Sequence, residues 1–278
     1  MPLSALGLAF VRDLVYRRSA IVIENGKEYL VESRLGPLAR AEGFASIDDM
    51  VTMLRQQPGN GLHAKLVEAM TTNETSFFRD QNPFDALKND ILPALRKARA
   101  ITRRIRIWSA ACSTGQEAYS IAILVREHFP DLLSWDFRIV GTDLSTAMVA
   151  RAKEGIFNQI EVNRGLPAPL LIKYFERKGV NWQIKATHRD MFECKPMNLV
   201  DPWPELPRFD VIFLRNVLIY FDVPTKQGIL GRVRSVLAPD GYLFLGGAET
   251  TLRVDDSFER VQVDKAVYYK RGNAKVDP

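Results

Sequence analysis

Apolar positions recur at helical spacing through 6–15, 28–35, 47–54 and 62–70, with turn residues at Gly26, Gly43 and Pro58-Gly59-Asn60 between them. This predicts an all-helical amino-terminal domain over residues 1–72. From residue 105 the pattern changes to short, continuously apolar runs alternating with helical stretches. The runs at 105–109, 135–141, 191–195, 210–214, 242–246, 258–263 and 266–270 read as strands, and 83–100, 119–128 and 145–153 as helices. Such alternation predicts an α/β fold with a doubly wound, mainly parallel sheet. Asp264-Lys265 is too short a connection for a crossover, so the last two strands are expected to form an antiparallel hairpin at the sheet edge.

Two segments interrupt this scheme. Residues 73–104 read as a linker and linker helix. The polar run from Thr71 to Asp80 reads as a helix start with Phe77-Phe78 as core anchors, leaving Asn73, Thr75 and Arg79 to face a ligand. The stretch 156–190 is longer than an ordinary connection and contains the strand-like Asn181-Trp-Gln-Ile-Lys-Ala. It is expected to be an inserted small β-subdomain within the domain 105–278, with an open edge around Asn181 to Ala186; an elaborated crossover without a partner is the competing reading.

Composition changes this picture little. With 278 residues, 46% hydrophobic and 26% charged, the chain falls in the range of ordinary globular proteins. Its apolar start is broken by Arg12-Asp13 well short of a membrane span, which predicts a cytoplasmic protein without membrane insertion. The two cysteines, Cys112 and Cys194, read as reduced buried residues, and no metal site is expected. The net charge of +5 is concentrated: from Arg79 to Arg106 eight basic residues face three acids. No aromatic interleaving accompanies that run, so it predicts a solvated linker helix rather than a nucleic-acid surface.

Candidate chemistry centres on Ile105-Arg-Ile-Trp-Ser-Ala-Ala-Cys-Ser-Thr-Gly-Gln-Glu, where a strand turns through small residues into a helix. That arrangement lets backbone N–H groups approach a nucleotide-like cofactor. The next strand ends in Thr142-Asp143, placing a carboxylate where a ribose diol would lie. Glu117 and Asp143 thus become two acids at neighbouring strand ends. Arg215-Asn216 follow a further strand at its ligand-binding end.

Three stretches, Asn73-Glu-Thr-Ser-Phe-Phe-Arg, Trp108-Ser-Ala-Ala-Cys-Ser-Thr-Gly-Gln-Glu-Ala-Tyr-Ser and Phe209-Asp-Val-Ile-Phe-Leu-Arg-Asn-Val-Leu-Ile-Tyr-Phe-Asp, together with the late Gly241-Tyr-Leu-Phe-Leu-Gly-Gly-Ala-Glu, resemble the CheR family, the bacterial chemoreceptor glutamate O-methyltransferases. The resemblance covers almost the whole chain and implies a class I methyltransferase-like fold. It implies methyl transfer from S-adenosyl-L-methionine, leaving S-adenosyl-L-homocysteine, to glutamate carboxylates on the cytoplasmic domain of methyl-accepting chemoreceptors, in chemotaxis signalling. Its cofactor contacts map to Asn73, Thr75, Arg79, Glu117, Asp143, Asn198, Leu199, Arg215 and Asn216, and Arg79 and Tyr220 stand beside the reacting methyl. Where the family usually has two acids after the loop glycine, this chain has Gln116-Glu117. Arg34 and Arg40 match two positions of the family's receptor-docking helix. In some members the inserted subdomain also binds a receptor carboxyl-terminal peptide as an added strand; two prolines in Arg164-Gly-Leu-Pro-Ala-Pro favour a variant without that tether. The alternatives are a non-catalytic S-adenosylmethionine-binding adaptor and a nucleic-acid methyltransferase on the same fold.

Overall fold

The protein is described by a computed structural model over residues 3–57, 59 and 61–272. Pro58 and Asn60 of the expected turn therefore lie outside the described residues. Two compact units emerge. The first takes the described residues up to Thr72 together with Tyr220–Thr225, and the second the remainder.

In the first unit, α1 (Ala5–Ser19) starts at Ser4, whose hydroxyl accepts the Gly7 N–H. It is followed by α2 (Glu28–Ala41), α3 (Ile47–Gln56) and α4 (Gly61–Met70). Ser46 caps α3, with Asp48 and Asp49 in the first turn where the helix dipole favours acids. The apolar faces meet in a core that includes Val15, Val31, Leu35, Met50, Leu54 and Leu66. The later segment joins this unit through a Val22 N–H donating to the Tyr220 carbonyl at 2.9 Å and the Tyr16 hydroxyl donating to Asp222 at 2.7 Å.

The second unit opens with turns over residues 77–80 and no helix until α5 (Asn82–Ala86), so the expected helix start at 71–80 is not formed. A wide π turn (Leu87–Ile91) leads into α6 (Leu92–Ala98). Pro93, which lacks an N–H, stands just after the widened turn. This helical stretch is not the solvated linker expected from its charge. Phe84, Leu87, Ile91, Leu92 and Leu95 are buried in the main core. Its cations are answered within the domain: Arg96 pairs with Asp131, Arg99 with Asp210 and Asp240, and Arg104 with Asp136.

From there the elements run β1 (Arg104–Ala110), α7 (Gln116–His128), β2 (Asp136–Asp143), α8 (Thr146–Glu154), β3 (Ile156–Phe157), α9 (Gln159–Asn163), α10 (Ala168–Tyr174), β4 (Phe175–Lys178), β5 (Asn181–Ile184), α11 (Ala186–Arg189), β6 (Phe192–Pro196), β7 (Phe209–Leu214), α12 (Val223–Val236), β8 (Leu237–Leu245), β9 (Phe258–Val263) and β10 (Ala266–Arg271). Seven strands form one sheet in the order β6-β2-β1-β7-β8-β10-β9. The first five are mutually parallel, and β10 and β9 add the antiparallel hairpin at the edge. Chain order reverses between β1 and β7, the switch point at which such sheets bind ligands. Register brings Ala110 beside Thr142 and Leu214, and Leu214 beside Leu245, so the carboxyl ends share one edge.

The inserted stretch forms a separate sheet, β3-β5-β4. This corrects the expected open edge, because β5 (Asn181–Ile184) is the central strand, paired with Ile156-Phe157 on one side and Phe175–Lys178 on the other. Trp182 is held within the subdomain: the Arg177 guanidinium lies over its ring at 4.0 Å, and its indole N–H donates to Gln159 at 2.9 Å. Phe77 does act as a core anchor, packed edge-on against Phe157 and Phe175 of this sheet.

Candidate active site

The loop between β1 and α7 owes its shape to small residues. Ala111, Ser113 and Gly115 all have positive φ, and at Gly115 (φ 92) a side chain would also press on Ala152 and Tyr119 at 3.2 Å. Cys112 N–H donates to the Thr142 carbonyl, fastening the loop to β2. Asp143 then organises it: one carboxylate oxygen accepts the Ser113 N–H at 2.8 Å and the other the Ser145 N–H at 2.9 Å.

Glu117 sits differently from its expected role. One of its oxygens accepts the Ser109 hydroxyl at 2.7 Å and the other the Arg215 guanidinium at 2.9 Å. Arg215, whose side chain is only 2% exposed, also donates to Asp80 and to the Arg79 carbonyl, each at 2.9 Å. Glu117 and Arg215 are thereby brought together as a buried ion pair across β1 and β7, rather than as two independent cofactor contacts. The Arg215 Nε is buried and makes no hydrogen bond among the described residues.

The segment carrying Asn73, Thr75 and Arg79 is held onto this loop. The Asn73 carbonyl accepts the Ser113 hydroxyl at 2.8 Å, the Phe78 N–H donates to Ser120 at 2.9 Å, and the Phe77 N–H donates to the Arg164 carbonyl. Arg79 is half-buried and donates to the Glu74 carbonyl at 3.0 Å. Glu74 in turn pairs with Arg164, which holds its carboxyl below the ordinary range.

At Asn198-Leu199 the backbone is tied down. The Leu199 carbonyl accepts from the Trp203 indole at 3.1 Å and from Arg232 at 2.7 Å, and the Asn198 amide donates to Asp201 at 3.1 Å. Tyr220 belongs to the helical unit, where its carbonyl is the Val22 acceptor. Arg34 is also in that unit and is not a bare surface cation: it donates to the Met70 carbonyl at 2.5 Å and to the Thr72 hydroxyl at 2.8 Å. Arg40 is exposed.

Two features escaped the sequence reading. Cys112 and Cys194 lie with sulfurs 3.5 Å apart. The neighbouring thiol and burial push the Cys112 thiol up, which disfavours its thiolate. The second is Glu249, which takes four backbone N–H groups at the ends of β7 and β8. An acid just beyond an apolar strand that ends in glycine was the available signal. Beside it, a cleft of about 380 Å³ is lined by Asp80, Arg215, Gly246, Glu249 and Tyr269 among others.

The residues suit S-adenosylmethionine by charge and type. Its carboxylate would call for a cation such as Arg215 and its diol for an acceptor such as Asp143, and the positive-φ loop would bring backbone close. Among the described residues no cluster of potential ligands could hold a metal ion, and no helix is long and apolar enough to cross a membrane.

Comparison with known proteins agrees. Residues 73–267 match the CheR methyltransferase SAM-binding domain, and residues 7–71 the CheR methyltransferase all-alpha domain. Chemotaxis protein methyltransferase 1 of Pseudomonas aeruginosa is 41% identical over 263 residues, 93% of this chain and 95% of the relative. Chemotaxis protein methyltransferase Cher2 of Pseudomonas putida is 39% identical over the same shares. The chemotaxis protein methyltransferase of Vibrio parahaemolyticus is 38% identical over 90% of this chain and 91% of its own. The chain belongs to the CheR methyltransferase family and is an S-adenosylmethionine-dependent methyltransferase of chemotaxis.

Proposed function

We propose that the methyl acceptor is the side-chain carboxylate of glutamates on the cytoplasmic helices of chemoreceptors, giving γ-glutamyl methyl esters, and that the protein acts in the cytoplasm. The observation that carries this reading is the match of both family domains in order, together with relatives named as chemotaxis methyltransferases. The absence of histidine or cysteine chemistry around the site is consistent with it. A glutamate with pKa near 4.3 is already an anion at neutral pH, so its oxygen can attack an electrophilic methyl without a general base. Bound S-adenosylmethionine supplies that methyl on a sulfonium and leaves as a neutral thioether.

The chain's own contribution is then placement. Asp143 and the positive-φ loop hold the nucleoside end, and Asn73, Thr75, Glu117, Asn198, Leu199, Arg215 and Asn216 complete the cofactor contacts. Arg79, planar and permanently charged, orients the incoming carboxylate, and the Tyr220 hydroxyl donates to it. Alignment and exclusion of water are the effects available to such a site, worth up to roughly 7–11 kcal/mol in favourable cases.

Receptor docking falls to the helical unit, with Arg40 as its exposed base and Arg34 contributing only the face left by its bonds to Met70 and Thr72. Binding is therefore modest and salt-sensitive. The deciding experiment incubates receptor cytoplasmic domains with the protein and methyl-labelled S-adenosylmethionine, and maps modified peptides by mass spectrometry. Methyl esters on glutamates are expected. Cofactor binding without any transfer would favour an adaptor instead, and label on nucleic acid would overturn the substrate class.

A further inference from the structure

We propose that Glu249 is a positioning residue for the cofactor, acting through Asn216. The inference rests on the reading of Asn216 as a cofactor contact. Glu249 lies four residues beyond the end of β8, and its N–H returns to the Gly246 carbonyl at 2.9 Å, closing a tight turn that aims its side chain at the end of β7. One carboxylate oxygen accepts the Gly246 N–H at 2.6 Å and the Asn216 N–H at 2.7 Å. The other accepts the Val217 N–H at 2.9 Å and the Ile219 N–H at 3.2 Å.

Four donors converging on one carboxylate do more than satisfy polar groups. Past Leu214 the chain leaves the sheet and has no ladder partners for these amides, so the rim Asn216–Ile219 takes its shape from Glu249. Asn216 has φ 58, a left-handed conformation uncommon for a residue with a side chain. Glu249 grips the N–H of that residue and of the one after it, holding the peptide units on both sides. The fit leaves no slack: a Cβ on Gly246 would come within 2.6 Å of the Asn216 amide nitrogen, 2.7 Å of a Glu249 oxygen and 2.8 Å of the Asn216 backbone nitrogen. Asn216 is half-buried, and its side-chain amide makes no hydrogen bond among the described residues. Arg215, the preceding residue, is held independently by Glu117, Asp80 and the Arg79 carbonyl. Glu249 therefore sets where the Asn216 side chain points, while Arg215 stays in place without it.

Only a carboxylate fits this role. In Glu249→Gln the amide NH₂ would have to face two of the four N–H groups, donor against donor, and Glu249→Asp is one methylene too short to span both pairs.

The test is a double-mutant cycle read by calorimetry with S-adenosylhomocysteine, on samples shown to be folded by circular dichroism and thermal melting. Asn216→Ala and Glu249→Gln are each expected to weaken binding by about tenfold or more. The double variant is expected to bind no worse than Asn216→Ala alone, because the residue through which Glu249 acts is already gone. Additive losses would overturn the inference while leaving Asn216 as a contact. Wild-type affinity in Asn216→Ala would overturn the inference and the contact assignment beneath it. Wild-type affinity in a folded but less stable Glu249→Gln would mean that Glu249 serves the fold only. If Glu249→Gln does not fold, Gly246→Ala disturbs the same clamp from the opposite side and takes its place in the cycle with Asn216→Ala, with the same non-additivity expected and additivity overturning it.

Discussion

Both halves of the sheet's carboxyl edge are built by a carboxylate that gathers backbone N–H groups, but around loops of different kinds. At the ends of β1 and β2, Asp143 takes the Ser113 and Ser145 N–H groups, one from each adjoining loop, and small residues with positive φ do the rest of the shaping. At the ends of β7 and β8, Glu249 takes four, and the loop it shapes carries Val217, Leu218 and Ile219. A loop of small residues can approach a ligand with its own backbone. A loop of bulky residues needs an external clamp, and it offers side chains instead. Arg215 ties the halves together, since it leaves the second and pairs with Glu117 at the start of α7 in the first.

Breaking that tie should produce the largest effect. Arg215→Met leaves Glu117, with a side chain 13% exposed, and nearby polar groups without their cation. Removing one partner of a buried pair costs about 3–5 kcal/mol, and urea denaturation should show a loss of that order. A loss below about 1 kcal/mol, the scale of an exposed pair, would mean that the halves are stable independently.

The next effect is kinetic. Arg79 belongs to the second half through its carbonyl, which accepts from Arg215, while its guanidinium is held only by the Glu74 carbonyl among the bonds described. Arg79→Ala should lower turnover roughly a hundredfold with cofactor affinity much less changed, the scale on which misalignment acts. Tyr220→Phe should move in the same direction and less. Steady-state rates at saturating cofactor, beside calorimetric affinities, separate the two quantities. Equal losses in both would make Arg79 a cofactor residue rather than an acceptor-orienting one.

Within the first half, the two acids should diverge. Asp143→Ala is expected to weaken S-adenosylhomocysteine binding by about 1–3 kcal/mol, the value of charged hydrogen bonds. Glu117→Ala should act more on the melting temperature than on affinity, because it leaves the buried Arg215 guanidinium without this ion-pair partner. The opposite ordering would show that Glu117, not Asp143, faces the ligand.

These contrasts also explain what was legible in the sequence. The positions of the strands along the chain and the Asp143 loop followed from local pattern, because small residues and a strand-ending acid leave a signature over a dozen positions. The partner of Glu117 did not, since Arg215 is 98 positions away and only the β1–β7 pairing brings them together. Glu249 was hidden for the same reason, as three of its four donors, Asn216, Val217 and Ile219, lie about 30 positions earlier, past the end of β7. The solvated linker was mistaken because its basic residues find Asp131, Asp136, Asp210 and Asp240 across the fold, which no count of local charge reveals. Strand order misled in the inserted subdomain too. Asn181–Ile184 reads as an edge until Ile156-Phe157, far back in the chain, pairs on its outer side.

That subdomain supplies the smallest and most specific contrast, a titration absent from the sheet edge. His188 follows β5 on α11 with its ring edge-on to Tyr174 at 4.7 Å. Burial, followed by the positive charges of Arg126, Lys185 and Lys173, lowers its pKa to about 4, with Asp190 opposing. The folded protein therefore keeps the imidazole neutral where the unfolded chain, near 6.5, would protonate it. Because the unfolded state binds more protons in that window, the contribution of His188 is fully present above pH 6.5 and is lost as pH falls towards 4. His188→Phe keeps a ring against Tyr174 and removes the titration. Its melting temperature should therefore fall less steeply than that of the wild type between those two pH values, with the curves parallel above them. Identical slopes throughout would show that His188 is protonated in the folded protein, and that the basic residues around it are held further from its ring than the packing of α11 implies.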